Sequence, residues 1–192
     1  RWFDGGRTPL ELKALSPIAS ELADELYYES PAVWSELINR DNLSSSSVKA
    51  RRDLLHRMIT QGDYEQLGIE GFPAERGLYE TLLRETGLHK QDKEGNWRFA
   101  APVAPGLASL WLHTQELFRG SNTKVDASEL QSLWSAPPFG VKSGIIPVLF
   151  TAYLLAHAAH IAVYKDGIFV PRLSDVDIDE YLQDSRRFSL RW

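Results

Sequence analysis

The stretch SAPPFGVKSGIIPVLFTAYLLAHAAHIAVYKDGIFVPRL, residues Ser135–Leu173, contains the strongest structural pattern in the chain. Its long apolar run is interrupted by Pro147 and by two histidines. Such a run is more typical of a buried helix followed by a strand than of a membrane span. The Asp166-Gly167 pair between two apolar segments predicts a tight β-hairpin turn. We therefore expect a buried helix that leads into a two-stranded hairpin.

A phosphate-binding loop is the first functional hypothesis that this stretch raises. A Walker A loop needs the order G-x-x-x-x-G-K-[ST] between a strand and a helix, because its backbone N–H groups and lysine hold the phosphates. Here Lys142 and Ser143 precede the second glycine, Gly144, and the segment PPF stands where a strand is required. This order disfavours nucleotide binding. We interpret the segment as a turn in which Ser143 caps the following helix.

Further helices and a second hairpin are predicted around this stretch. In SPIASELADELYYES, Ser16 and Pro17 favour a helix start at that point, and Ile18, Leu22 and Leu26 form an apolar stripe. The segment LHKQDKEGNWRFAAP predicts a first hairpin, and RRFSLRW predicts a final strand. The other predicted helices are SPAVWSELINR, VKARRDLLHRMITQ (Val48–Gln61), PAERGLYETLLRETG, GLASLWLHTQELFRG, DASELQSLWS and SDVDIDEYLQDS.

The two hairpins divide the chain into two cycles with a similar layout. Leu82 precedes Gly95 by 13 residues, and Leu154 precedes Gly167 by the same 13. In each cycle helices are followed by a two-stranded wing, which is the order of a winged helix. We therefore predict a mainly α fold with two small β-hairpins, of the α+β class. It would be built as tandem winged-helix-like units over residues 1–103 and 104–192.

Composition excludes several classes of function. The net charge of −5 argues against a surface that binds nucleic acid everywhere, although a local basic face fits inside an acidic domain. The absence of cysteine excludes disulfides, thiolate metal sites and cysteine nucleophiles. It also agrees with a cytoplasmic protein. The interrupted apolar run argues separately against a membrane span. Because the chain opens with RWFDGG and no signal-peptide pattern, we expect an internal fragment of a larger protein.

The best binding candidate is the basic face of the predicted Val48–Gln61 helix. Its cations could contact phosphates or a groove of duplex DNA if the helix belongs to a helix-turn-helix unit. The following hairpin could add contacts to the DNA backbone as a wing. A charged solvent face, or ion pairs with acidic neighbours, is the alternative interpretation. The candidate contact residues for nucleic acid or another anion are Lys49, Arg51, Arg52, Arg57, Lys90 and Lys93.

Other chemistry-bearing residues form no recognisable catalytic pattern. His157 and His160 are three residues apart, but no third ligand with metal-site spacing lies nearby. The carboxylates of SDVDIDEYLQDS fall in the first turns of a helix, where the helix dipole favours them. The serines of NLSSSSVKA lack a nucleophile elbow. We therefore expect no catalytic residue, no metal site and no cofactor in this fragment.

Three long motifs together resemble one protein family. The segment SPIASELADELYYESPAVWSELINRDNLSSSSVKARRDLLHRMI is similar to part of large bacterial ATP-binding proteins of the anti-phage defence kind. The same is true of LGIEGFPAERGLYETLLRETGLH, and of APPFGVKSGIIPVLFTAYLLAH with the following VYKDGIFVPRLSD and RRFSLRW. The resemblance runs from about Leu15 to Trp192. This sequence has Ser35 in SELINR where the family form is Asn-Glu-Leu, so any role of that position is not transferred.

The resemblance implies a location and a role for this chain. The ATP site of such proteins is a P-loop region that precedes a helical and winged-helix region, so no ATPase residue maps onto this sequence. The fragment would then be a non-catalytic recognition or coupling domain. Its partners would be other domains of the larger ATP-binding protein or a separate protein. The alternative is a DNA-binding winged-helix module that contacts duplex phosphates through the Val48–Gln61 helix.

Overall fold

The computed structural model describes residues 12–33, 35, 43–120 and 123–192. Over these residues the chain forms seven α-helices and two small antiparallel sheets. The predicted mainly α fold with β-hairpins is therefore confirmed. The helices are α1 (Leu12–Leu26), α2 (Ser45–Thr60), α3 (Ala74–Tyr79), α4 (Pro105–Gly120), α5 (Ala127–Ser135), α6 (Ile146–Ala156) and α7 (Asp175–Gln183).

Short side chains explain where several helices begin. The Ser44 hydroxyl accepts a hydrogen bond from the Ser47 N–H at 3.2 Å, so α2 starts three residues before the predicted Val48. Ser174 caps α7 in the same way, at 3.3 Å from the Asp177 N–H. At α5 the spacing of Asp126 and Glu129 in the sequence predicts a capping box, and the structure has it, with the Asp126 N–H donating to the Glu129 carboxylate.

Two predicted helix starts are wrong. Ser16 is not an N-cap, because α1 already begins at Leu12 and continues through Pro17. The helix tolerates Pro17 at the cost of the one backbone hydrogen bond that a proline cannot donate. Ser143 does not cap α6 either, because it lies in a turn and the helix starts at Ile146. Of the predicted SPAVWSELINR helix, residues 31–33 are irregular, and 34 and 36–40 lie outside the described residues.

Both predicted hairpins are present, and the second belongs to a larger sheet. The first joins β1 (His89–Gln91) to β2 (Trp97–Phe99). The second sheet has the order β3-β6-β4-β5, and all neighbouring strands are antiparallel. The sequence pattern did not predict that β6 pairs with β4, nor that β3 exists. The strands of this sheet are β3 (Val125–Asp126), β4 (Ala162–Lys165), β5 (Ile168–Val170) and β6 (Phe188–Arg191).

The turn between β4 and β5 follows from its two residues. Asp166 has a φ of 49° and Gly167 a φ of 82°, so both lie in the left-handed region. A two-residue turn of this kind matches the twist of the flanking strands and favours Asp-Gly. Lys165 and Ile168 pair directly across it. The Asp-Gly pair therefore predicted the hairpin and the position of its turn.

Helix α6 forms the centre of the core. Every side chain from Ile146 to Leu154 is buried, so this helix contacts other elements on all sides. Trp111 of α4 and Trp134 of α5 pack on Tyr153 with ring centroids 5.2 and 6.3 Å away. Helix α2 packs against α3, α6 and α7. Its contacts with α6 and α7 therefore join parts of the chain on both sides of the boundary predicted at residue 103. The winged-helix description and the division into units stay predictions.

Candidate functional site

The basic face of α2 meets the acidic helix α7. Arg52 donates from Nε and Nη2 to the two carboxylate oxygens of Asp179, each at 2.5 Å. His56 Nε2 lies 3.0 Å from the same carboxylate. We call Arg52, His56 and Asp179 the α2–α7 clasp. The hydrogen bonds from Arg52 in particular hold the pKa of Asp179 at about 2, well below its ordinary value.

Two more predicted cations of α2 have partners on the same helix or close to it. Arg57 donates from Nη1 to the carbonyl oxygens of Leu67 at 3.4 Å and Gly68 at 3.1 Å. Leu67 has a φ of 55°, so these bonds stabilise a turn that is otherwise unfavourable for a branched side chain. Lys49 forms an ion pair with Asp53 at 3.0 Å on the exposed side of the helix. Arg57 is thus structural, and Lys49 is accessible.

The lysines of the β1–β2 hairpin are also accessible in part. Lys90 donates to the Ala101 carbonyl oxygen at 3.3 Å, and Lys93 is exposed at the turn. Arg98 of β2 adds a third cation and lies 3.8 Å from Asp92. Arg98 is not among the predicted contact residues, although the alternation of strand residues places it on the exposed face. The basic side chains of the hairpin are therefore more accessible, whereas most of those on α2 already have partners within the fold.

Arg51 differs from its neighbours on α2. Its guanidinium makes one hydrogen bond, from Nη1 to the Gly144 carbonyl oxygen at 3.3 Å. No carboxylate of the described residues lies within ion-pair distance, and its buried Nε–H has no partner there. Burial lowers the pKa of Arg51, since it penalises the charged form. Arg51 lines a polar cavity of about 630 Å³ between α2, α5 and α7.

The walls of this cavity carry hydroxyl and amide groups. Ser128, Ser132 and Ser135 line it from one face of α5, as their spacing along a helix requires. Gln131 on the same face donates from Nε2 to the Tyr181 hydroxyl at 3.0 Å. None of these cavity residues of α5 and α7 is among the predicted site residues. The spacing of the serines on one face of α5 is visible in the sequence, but the position of Tyr181 beside them depends on how α7 packs.

The predicted apolar stripe of α1 is largely exposed. Leu22 and Leu26 are 53% and 54% exposed, and Ile18 is half-buried. Tyr27, just after the helix, packs against the backbone of Gly140, where a Cβ would lie 2.6 Å from its ring. An amphipathic helix normally turns its apolar stripe toward a core. The stripe is therefore an unusual surface for a folded domain.

The histidine and carboxylate candidates have structural partners. His160 stacks on Trp192 with ring centroids 5.6 Å apart. Asp177 at the start of α7 is not merely solvated, because it accepts from Lys165 at 2.6 Å and from the Ser174 hydroxyl at 2.6 Å. Over the described part of the chain, no group of three or more His, Asp or Glu side chains has the arrangement of a metal site.

Comparisons with known proteins add no identification. The chain matched no family model, no curated protein and no solved structure. In the described residues, no helix is both long enough and apolar enough to cross a membrane. Functional interpretation therefore depends on the α1 stripe, the α2 face, the hairpin and the Arg51 cavity.

Proposed function

We propose that this chain is a non-catalytic recognition or coupling module of a larger bacterial ATP-binding protein of the anti-phage defence kind. It works through contacts with another domain of that protein. The observation that carries the proposal is the apolar stripe of α1, in which Leu22 and Leu26 are exposed and Ile18 is half-buried. Apolar stripes of this kind mark contact sites, since their burial against a partner is favourable.

The chemistry around the stripe indicates the kind of surface that would cover it. Glu21 and Glu25 are exposed and precede Leu22 and Leu26 by one residue each, so carboxylates border the stripe. A complementary surface is an apolar groove with basic residues at its rim. On α2, Arg52 is paired with Asp179 and Arg57 donates to loop carbonyl oxygens, so both are less available to DNA phosphates. This supports a protein contact over a DNA contact.

Hydrogen–deuterium exchange tests this proposal in the full-length gene product. We expect the amides of residues 18–27 to exchange roughly tenfold or more slowly in the full-length protein than in the isolated chain, because a covering domain restrains local opening. The β1–β2 turn around Gly95 serves as the internal control and should exchange equally in both. Equal protection of α1 in the two proteins would show that no other domain covers it.

Substitutions in the α1 stripe test the same contact. Leu22→Asp combined with Leu26→Asp should remove the extra protection of α1 and leave the isolated chain folded, since both side chains are more than half exposed. The matched control is Leu112→Asp, at a leucine of α4 that is also more than half exposed. The proposal fails if the double variant and Leu112→Asp have the same effect on α1.

The alternative function, contact with duplex DNA, is favoured by one observation. Lys90, Lys93 and Arg98 place three cations on the β1–β2 hairpin. A labelled short duplex should then bind at about 50 mM salt and weaken steeply toward about 200 mM. Lys93→Glu is a better test than charge reversal in α2, because Arg52 and Arg57 are part of the fold. Absence of binding at low salt would eliminate this alternative.

A further inference from the structure

We propose that the cavity between α2, α5 and α7 binds the phosphate group of a small, hydroxyl-bearing molecule, with Arg51 as the charge partner. The site is distinct from the α1 stripe and from the hairpin lysines. It therefore adds a ligand site to the module and does not depend on the proposed protein contact.

Arg51 has no carboxylate counter-ion among the described residues. Arg52 and Arg76 pair with the carboxylates of Asp179 and Glu80, and Arg57 donates to three oxygens, those of Gln61, Leu67 and Gly68. Arg51 has instead a single carbonyl partner, Gly144, and a buried Nε–H that is unpaired in the described structure. A partly buried guanidinium without a counter-ion is unfavourable, because the lost hydration is not replaced. A bound anion would supply the missing charge.

Several hydrogen-bond donors surround the cavity. The Tyr181 hydroxyl accepts from Gln131, so its own proton is left for a further acceptor. Ser132 and Ser135 donate to backbone carbonyl oxygens of α5, and their hydroxyls rotate readily toward another acceptor. These groups suit the oxygens of a phosphate and the hydroxyls of the molecule that carries it.

The charges at the rim of the cavity also suit an anion. Asp184 lines the cavity and would repel an anion if it were unpaired. Arg186 neutralises it with two side-chain hydrogen bonds, from Nε at 2.8 Å and from Nη2 at 2.9 Å. The pair lowers the pKa of Asp184 and keeps its charge balanced. Because Asp184 and Arg186 cancel each other, Arg51 gives the residues that line the cavity a net positive charge.

The size of the cavity indicates more than a free phosphate ion. Its volume of about 630 Å³ lies within the usual range of small-molecule sites, which is roughly 300–1,000 Å³. The wall of hydroxyl and amide groups favours a polar, hydroxylated body over an apolar one. A sugar phosphate has both features, whereas inorganic phosphate uses the charge partner alone.

Nuclear magnetic resonance titration is the direct test, with ribose 5-phosphate, inorganic phosphate and ribose as probes. We expect saturable shifts of the amides around Ser128–Ser135 with both phosphate compounds, with the sugar phosphate binding more tightly. Ribose should cause no saturable shift. The proposal is overturned if neither phosphate compound saturates up to about 10 mM, a concentration that detects even weak sites. Equal shifts with ribose would overturn the role of the anion.

Matched variants connect the shifts to the cavity. Arg51→Gln should weaken ribose 5-phosphate binding roughly tenfold or more, because it removes a charge-assisted contact. Lys49→Gln on the same helix should leave binding unchanged, since Lys49 does not line the cavity. Unchanged binding by Arg51→Gln would contradict the proposal. Should that variant not fold, Ser132→Trp decides, because it fills the cavity from an exposed position and must abolish the shifts.

Discussion

Thr114 connects two aromatic helices inside the core. Its hydroxyl accepts from the indole N–H of Trp134 at 2.9 Å and donates to the Leu110 carbonyl oxygen at 2.7 Å. Both Thr114 and Trp134 are fully buried. A valine at this position would fill the same volume and leave the indole N–H without an acceptor.

We predict that Thr114→Val lowers the free energy of unfolding by roughly 1–3 kcal/mol, the usual cost of a buried unpaired polar group. Urea unfolding followed by tryptophan fluorescence measures this loss. Thr114→Ser is the matched control, because it keeps the hydroxyl and removes one methyl group. A loss in Thr114→Val no larger than in Thr114→Ser would show that the hydrogen bond contributes little.

His89 is a buried neutral base in the first hairpin. Its Nε2 faces the Gly62 carbonyl oxygen at 2.9 Å, so Nε2 carries the proton and Nδ1 accepts from the Tyr79 hydroxyl at 3.0 Å. Burial lowers the pKa of His89 below its ordinary value of 6.5 and outweighs the opposing hydrogen bond to Gly62. The unfolded chain therefore binds this proton more tightly than the folded one.

It follows that His89 contributes stability above pH 6.5, which is lost as the pH falls from there toward the lowered pKa of the folded state. The ring protons of His89 in nuclear magnetic resonance spectra should titrate with a midpoint below 6.5. His89→Gln assigns the signal. A midpoint at or above 6.5 would contradict the buried neutral state.

The α2–α7 clasp is the contact between elements with the clearest electrostatic signature. The pKa of Asp179 is about 2 in the folded protein, against an ordinary value of 3.8. Its contribution to stability is therefore complete above pH 3.8 and is lost as the pH falls toward 2.

We predict that Asp179→Asn lowers the melting temperature by roughly 2 °C at pH 7, as expected for a partly exposed ion pair in a domain of this size. The difference from the wild-type protein should vanish as the pH approaches 2. Asp53→Asn is the control, because Asp53 pairs with the exposed Lys49 within one helix. A difference that is independent of pH would mean that the clasp acts through packing and not through charge.

Local signals predicted most elements, and distant pairing explains those that were missed. A capping-box spacing indicated the start of α5, carboxylates in the first turns agreed with a helix at α7, and an Asp-Gly turn predicted the β4–β5 hairpin. Strand β3 has two residues and exists because Val125 pairs with Leu190. No local pattern contains that information. The Ser16-Pro17 cap signal was outweighed by a helix that already runs through it.

At the scale of the whole molecule, tertiary contacts decide which of the predicted cations on α2 remain available to a ligand. The cations of α2 were identified as candidates from their helical face, and ion pairs with acidic neighbours were one of two interpretations. Arg52 meets an aspartate 127 residues away, so its neutralisation depends on how α7 docks. Arg51 lies one residue earlier and faces a cavity instead. This difference between adjacent arginines is a property of the fold and not of the helix.

The buried side chains form one hydrophobic cluster that extends from Ala50 to Leu190. Helix α2 lies in the first half of the chain and packs on α6 and α7 in the second. A shared core of this kind favours a single cooperative unfolding transition, since neither half keeps its buried surface without the other. Leu54 in α2 is fully buried, so its truncation tests whether the two halves of the chain unfold together.

We therefore predict that Leu54→Ala destabilises both halves together, by roughly 2–5 kcal/mol, the usual cost of such a truncation in a core. Native-state hydrogen exchange should show an equal loss of protection for the amides of α3 and of α6. Leu112→Ala, at an exposed leucine of α4, is the control and should change neither. A loss confined to the first half would instead favour two units that fold separately on either side of residue 103. In that case the contacts of α2 with α6 and α7 would be an interface between domains, with weak coupling across it.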